Sequence, residues 1–120
     1  MKVNQFDPYL NHEEIRNVTK SIQDNWITEG PFTHEFEELL RKYTGAKYVH
    51  LLPNGTLSLF VALKILDIGP GDEVIVPAFT FVGSATSVVL TGAKPVFCDI
   101  NLDDFNMNVD SLKQCLPKKT

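Results

Sequence analysis

The chain has 120 residues, 43% hydrophobic and 22% charged, with 11 basic against 15 acidic side chains. That size and balance fit one soluble globular unit. The absence of a Lys/Arg block interleaved with aromatics argues against nucleic acid, and no apolar run nears the roughly 20 residues of a membrane-spanning helix.

Residues 1–7 lack the apolar centre of a secretory leader, which predicts a cytoplasmic protein. Lys118-Lys119, the only basic cluster, reads as a solvated tail. Asn11 can cap a first helix, with Glu14 three residues on completing a capping box, and Ile15, Val18 and Ile22 share one face. Asp24-Asn25 closes it. Residues 26–31 form an irregular connector in which Gly30-Pro31 breaks helix. A second helix is predicted over about 33–43, where Phe36, Leu39, Leu40 and Tyr43 make a stripe that Gly45 ends.

A short apolar strand is predicted from Tyr48 to Leu52, broken by Pro53-Asn54-Gly55-Thr56. A third helix then runs from Thr56 or Leu57 to about Leu66. Residues 67–72 form a turn. Glu73 to Val76 is β-branched and almost wholly apolar, as a strand covered on both faces should be. A fourth helix spans about 82–90 and stops at Gly92. A third strand runs from Pro95 to Ile100, and Asn108 can cap a last helix carrying Val109, Leu112 and Leu116.

Strands alternating with helices imply an α/β fold with a mainly parallel sheet and right-handed crossovers. Ligands of such sheets sit beyond the carboxyl ends of the strands, which points to the turns after Leu52 and Val76. Three strands with exposed edges make a poor stopping point, so further polypeptide is expected after residue 120.

Residues 53–58 join a strand end to a helix start, where free backbone N–H groups and the helix dipole favour a phosphate. Gly55 allows close backbone approach and Thr56 adds a hydroxyl. The loop is neither a Walker A motif nor GxGxxG, and an ordinary Asn-Gly turn with a Thr cap also accounts for it. Phe79 and Phe81, in Pro77-Ala78-Phe79-Thr80-Phe81, could wall a flat heterocycle. They could equally pack into a core or a subunit interface. Cys98 and Cys115 belong to no CxxC or Cys/His cluster and read as free thiols. His12, His34 and His50 share no ligand spacing, so no metal site is predicted. Asp99 reads as structural, and Asp103, Asp104 and Asp110 as loop or helix-start residues. Lys47, Lys64 and Lys94 fall on predicted surface positions.

Residues 26–31, Phe36-Glu37, residues 43–48, Asn54-Gly55-Thr56, the run 67–77, Thr80-Phe81 and the run 92–100 together resemble the opening of the DegT/StrS sugar aminotransferases. The resemblance extends from about Asp7 onward. It implies the N-terminal part of the aspartate-aminotransferase-like (fold type I) large domain, here incomplete over residues 1–120 and lacking a C-terminal remainder and small domain. It implies pyridoxal 5′-phosphate as cofactor, its phosphate held by Gly55, Thr56 and the backbone at Leu57, and its ring stacked on Phe81. Thr28, Glu29 and Gly30 resemble the segment that approaches the substrate pocket. The Schiff-base lysine and the acid pairing with the pyridine nitrogen are expected beyond residue 120, so no catalytic residue is assigned within the chain and the chain by itself is expected to be inactive.

The complete enzyme is expected to be a homodimer that transfers an amino group from an amino-acid donor, typically glutamate, to a nucleotide-linked keto sugar. Alternatives are a non-catalytic phosphate-binding or dimerisation module, and a dehydratase-like relative that replaces the lysine by histidine.

Overall fold

Local capping chemistry sets the helix limits in the computed structural model, which describes residues 8–26 and 28–116. The readings made for residues 1–7, for Ile27 and for Lys118-Lys119 lie outside the described residues. The chain divides into two compact units, the first ending at Leu51 and the second beginning at Leu52.

In the first unit, helix α1 (His12–Gln23) starts at the predicted capping box. Asn11 Oδ1 accepts the Glu13 amide and Glu14 Oε2 accepts the Asn11 amide, both at 2.7 Å. Helix α2 (Pro31–Thr44) begins two residues before its predicted start. Pro31 does not break it. It occupies the first helical position, where its missing N–H would have been unpaired anyway. Gly45 ends α2 at φ 72°, in the left-handed region that glycine tolerates best.

The predicted strand from Tyr48 to Leu52 is not found, because these residues have no neighbouring strand among those described. A strand exists only through its ladder. The Leu51 amide instead donates to Glu37 Oε1 on α2 at 3.3 Å. The apolar faces of α1 and α2 are as predicted but uncovered: Ile15, Val18, Ile22, Phe36 and Leu39 are all at least half exposed.

The second unit carries helix α3 (Gly55–Ile65), strand β1 (Glu73–Pro77), helix α4 (Gly83–Thr91), strand β2 (Lys94–Cys98) and helix α5 (Val109–Cys115). β1 and β2 pair in parallel from Glu73↔Lys94 to Pro77↔Cys98. The sheet therefore has two strands among the described residues, not the three predicted. Ile100, predicted inside the last strand, makes an antiparallel bridge to Met107 instead.

The turn from α3 into β1 is built by Asp72, whose Oδ2 accepts the Gly69 amide at 2.9 Å while its carbonyl accepts the Lys94 amide at 2.9 Å. Helix α4 packs on α3 and on both strands. Val76, Val88 and Ala93 form the buried core, with Leu63, Ile68, Val74 and Ala85 packed against it.

Beyond β2, Asp99 is structural as predicted. Its amide donates to Ser111 Oγ, its carbonyl accepts the Asn108 amide and its Oδ1 accepts the Ile100 amide. Cys98 is buried and Cys115 half-buried, and both are free. Burial pushes the Cys115 thiol up, helped by the adjacent Cys98 thiol, which suits an inert sulfur.

Asp104 gathers the loop between β2 and α5. Its carboxylate accepts the Asn106 amide (2.9 Å), the Asn106 side chain (3.1 Å) and the Asn101 side chain (3.2 Å). These bonds, the backbone one foremost, hold its carboxyl below the ordinary 3.8. A depressed folded value stabilises the loop above 3.8 and ceases to do so as pH falls through that lower value. Hydrogen exchange at the Asn106 amide, relative to its intrinsic rate, is therefore expected to speed up in Asp104→Ala at neutral pH. In the wild-type chain it should speed up only in acid. Equal protection in both chains at neutral pH would refute the role of Asp104.

Candidate functional site

The turn after Leu52 becomes an anion-ready helix start through Asn54. This residue is extended (φ −164°, ψ 166°) and its side chain caps α3. Asn54 Oδ1 accepts the Leu57 amide at 3.0 Å, and the Asn54 carbonyl accepts both the Ser58 amide and the Ser58 hydroxyl. The amides of Gly55 and Thr56 are left with no acceptor among the described residues. Two donors at the positive end of an 11-residue helix form a ready anion contact. Of the residues assigned to phosphate from sequence, Gly55 and Thr56 present free amides. The Leu57 amide is occupied by Asn54.

The second wall comes from the end of β1. After Pro77 the chain turns, and α4 starts with Val82 as its cap residue and Gly83 as its first residue. Gly83 is buried, and a Cβ built on it would lie 2.5 Å from Thr56 Oγ1 and 3.0 Å from Phe81 Cδ1. The Thr56 hydroxyl and the Phe81 ring therefore converge on one spot, and only a residue without a side chain leaves both where they are. Asn54, Gly55, Thr56, Phe81 and Ser84 line one open pocket of about 610 Å³ there. Among the described residues no acidic side chain lines it, so none of them repels an anion there.

The sequence reading put Phe79 beside Phe81 as a second ring of the wall. The structure separates them. Phe79 stacks on Phe105, centroids 5.6 Å apart, and is absent from the pocket lining. Sequence reasoning also passed over several lining residues, Asn54 and Gly83 among them. Asn54 reads as turn punctuation in an Asn-Gly pair, and Gly83 carries no chemistry of its own. The signal for Asn54 was its position as a capping residue at the head of an apolar helical run.

Thr28, Glu29 and Gly30 lie in the first unit. Thr28 and Gly30 line a cleft of about 390 Å³ with Trp26 and Phe32. The Trp26 indole covers Gly30, and its N–H donates to the Glu29 carbonyl. Lys47, Lys64 and Lys94 are exposed, Lys94 pairing with Glu73 at 2.7 Å across the sheet. Among the described residues no lysine lines the pocket. Among the described residues, no three His, Cys, Asp or Glu side chains gather as metal ligands, and no helix is long and apolar enough to cross a membrane.

The pocket thus pairs a phosphate-sized set of donors with an aromatic face at the carboxyl rim of parallel strands. Such a rim is where parallel α/β folds bind their ligands. Comparison with known proteins makes the assignment specific. The sequence model of the DegT/DnrJ/EryC1/StrS aminotransferase family matches residues 8–120, and the chain belongs to that family.

The spore coat polysaccharide biosynthesis protein SpsC of Bacillus subtilis strain 168 is 40% identical over 116 residues, covering 93% of this chain and 29% of its own. The dTDP-4-dehydro-2,3,6-trideoxy-D-glucose 4-aminotransferase of Saccharopolyspora spinosa is 34% identical over 120 residues, 98% of this chain and 31% of its own. The solved PLP-form of Spr1654 from Streptococcus pneumoniae superposes with a TM-score of 0.81 at 40% identity, over 91% of this chain and 28% of that one. The chain thus spans under a third of the length of these relatives. Its parallel α/β arrangement is that of the N-terminal part of the fold type I enzymes.

Proposed function

We propose that the chain is the cofactor-gripping part, an incomplete large domain, of a pyridoxal-phosphate-dependent aminotransferase. In this reading the complete polypeptide moves an amino group from an amino acid, glutamate first among candidates, to a nucleotide-linked keto sugar. One observation carries the reading: among the described residues Thr56 and Phe81 meet at Gly83, beside two unpaired amides, in a pocket with no acidic lining. The names of the relatives supply the sugar, and the PLP-form neighbour supports the cofactor.

The Gly55 and Thr56 amides and the Thr56 hydroxyl hold the phosphate, with the capped Leu57 fixing the turn beneath them. Phe81 covers one face of the ring and excludes water from it. When bound, the cofactor supplies the electron sink for amino transfer. Thr28, Glu29 and Gly30 approach the substrate. The lysine that carries the cofactor and moves protons, and the acid that pairs with the pyridine nitrogen, belong to polypeptide following Thr120. A cytoplasmic homodimer is assigned by family resemblance, and the uncovered apolar stripes of α1 and α2 are the kind of surface an assembly buries.

Titration with pyridoxamine phosphate tests the grip cleanly, because this amine form cannot condense with surface lysines. The wild-type chain is expected to bind it weakly, and to bind pyridoxamine, which lacks the phosphate, far less. Thr56→Val removes a hydroxyl that bonds to a charged group, worth about 1.5–3 kcal/mol, and should lower the affinity about 10- to 100-fold. Unchanged affinity in that variant would remove Thr56 from the site. For the complete polypeptide, the matching assay is transfer of nitrogen from glutamate to a dTDP- or UDP-linked 4-keto sugar.

A further inference from the structure

Helix α5 meets the end of β2 through Asn108, Ser111 and Cys115, which share one face at spacings of three and four. The Asn108 carbonyl lies 3.6 Å from Cys98 Sγ, and Ser111 Oγ lies 2.9 Å from the Asp99 amide. Cys115 Sγ lies 3.4 Å from the Phe97 carbonyl, the oxygen of the peptide bond that leads into Cys98. The chain's two cysteines thus close two packed elements and meet in one seam. Cys98 is fully buried there, whereas Cys115 is half-buried. The sulfurs are neighbours: after burial, the Cys98 thiol is the next cause that raises the Cys115 thiol.

We infer that Cys98 and Cys115 form a modification site, a dithiol that a small-molecule disulfide such as oxidised glutathione converts into an intramolecular disulfide. Half-buried Cys115 is the entry point. Its thiolate attacks one sulfur of the oxidant, forming a mixed disulfide and releasing the first glutathione. Cys98 then gives up its proton and attacks the Cys115 sulfur, and the second glutathione leaves. Two protons and two electrons pass from the pair to the oxidant, which departs as two thiols. Neither sulfur reacts readily alone, one being buried and the other held protonated. Proximity makes up for this, because the second step is intramolecular. In a reducing compartment the bond is reversible. While it lasts, it ties the end of α5 to β2 and closes the loop that Asp104 gathers. The inference does not depend on the phosphate site.

Equilibrating the full chain with reduced and oxidised glutathione, folded and in concentrated urea, tests the pair by intact mass and thiol count. The folded wild-type chain is expected to lose two hydrogens and carry no glutathione. Its disulfide should be favoured at least about 100-fold over that of the urea-unfolded chain, where the loop closes by chance. By the same cycle, the oxidised chain should unfold at a higher urea concentration than the reduced one. Cys98→Ser should stop at one glutathione adduct on Cys115, and Cys115→Ser should leave buried Cys98 unmodified.

Equal disulfide equilibria in the folded and unfolded wild-type chain would overturn the inference, because the fold would then bring the sulfurs no closer. A glutathione adduct as the end product of the folded wild type would overturn it too. So would a lower urea midpoint after oxidation, which would mean that the bond forms only by displacing α5.

Discussion

Val88→Asp is expected to abolish cooperative unfolding of the second unit, while Val89→Asp, one residue further along the same helix, leaves it intact. Val88 is 1% exposed and sits in the core with Val76 and Ala93, whereas Val89 is 59% exposed. A buried carboxylate with no partner costs several kcal/mol, and the charged form is the one present at neutral pH. Against it stands a small reserve. A unit of this size is stable by roughly 3–10 kcal/mol at the usual 0.05–0.15 kcal/mol per residue.

The core is also thin: among the described residues four hydrophobic ones are buried, Val76, Val88, Ala93 and Cys98. Val88→Ala should retain a transition, lowered by about 2 kcal/mol for the lost methyl groups and the cavity they leave. Urea titrations followed by circular dichroism read all three variants. A sigmoidal transition in Val88→Asp with the wild-type midpoint would show that α4 does not lie over β1 and β2 as described.

What the sequence made legible follows from where each signal resides. Helix limits were readable where caps are local: Asn11 with Glu14, and Asn108, each set a boundary through bonds to residues two or three positions away, whereas at α3 the cap expected of Thr56 is made by Asn54 and the helix starts at Gly55. The C-terminal stops at Gly45 and Gly92 were equally local, since both need a positive φ. At Tyr48 to Leu52 the sequence misleads, because the apolar run satisfies the strand pattern while the ladder that would make it a strand depends on a distant partner that the described residues do not supply.

The site was legible in part for the same reason. Gly55 and Thr56 follow from a helix start, which is local. That Phe81 rather than Phe79 faces them depends on α3 and α4 packing together, which no spacing of aromatics encodes. Gly83 shows this most clearly, since its importance lies in what a side chain would touch.

Gly83→Val should therefore be the most damaging single change to the pocket. In most helices, replacing glycine by alanine gains up to about 1 kcal/mol of propensity. Here the first added carbon would stand 2.5 Å from Thr56 Oγ1 and within 3.0–3.2 Å of two Phe81 ring carbons. The Thr56 hydroxyl and the Phe81 ring, the two groups on which the proposed site depends, must then both move, and the valine methyls enter the space they vacate. Gly69→Ala is the control, because a Cβ there meets only the Thr91 carbonyl at an ordinary 3.7 Å.

We expect Gly83→Val to lower affinity for pyridoxamine phosphate by about 100-fold, or about 2.7 kcal/mol, with Gly83→Ala between it and wild type and Gly69→Ala unchanged. Urea midpoints measured beside the affinities separate loss of the pocket from loss of the fold. Because the two groups shift together, adding Thr56→Val to Gly83→Val should cost less than Thr56→Val costs alone. Wild-type affinity in Gly83→Val would mean that the cofactor is held somewhere other than between Thr56 and Phe81.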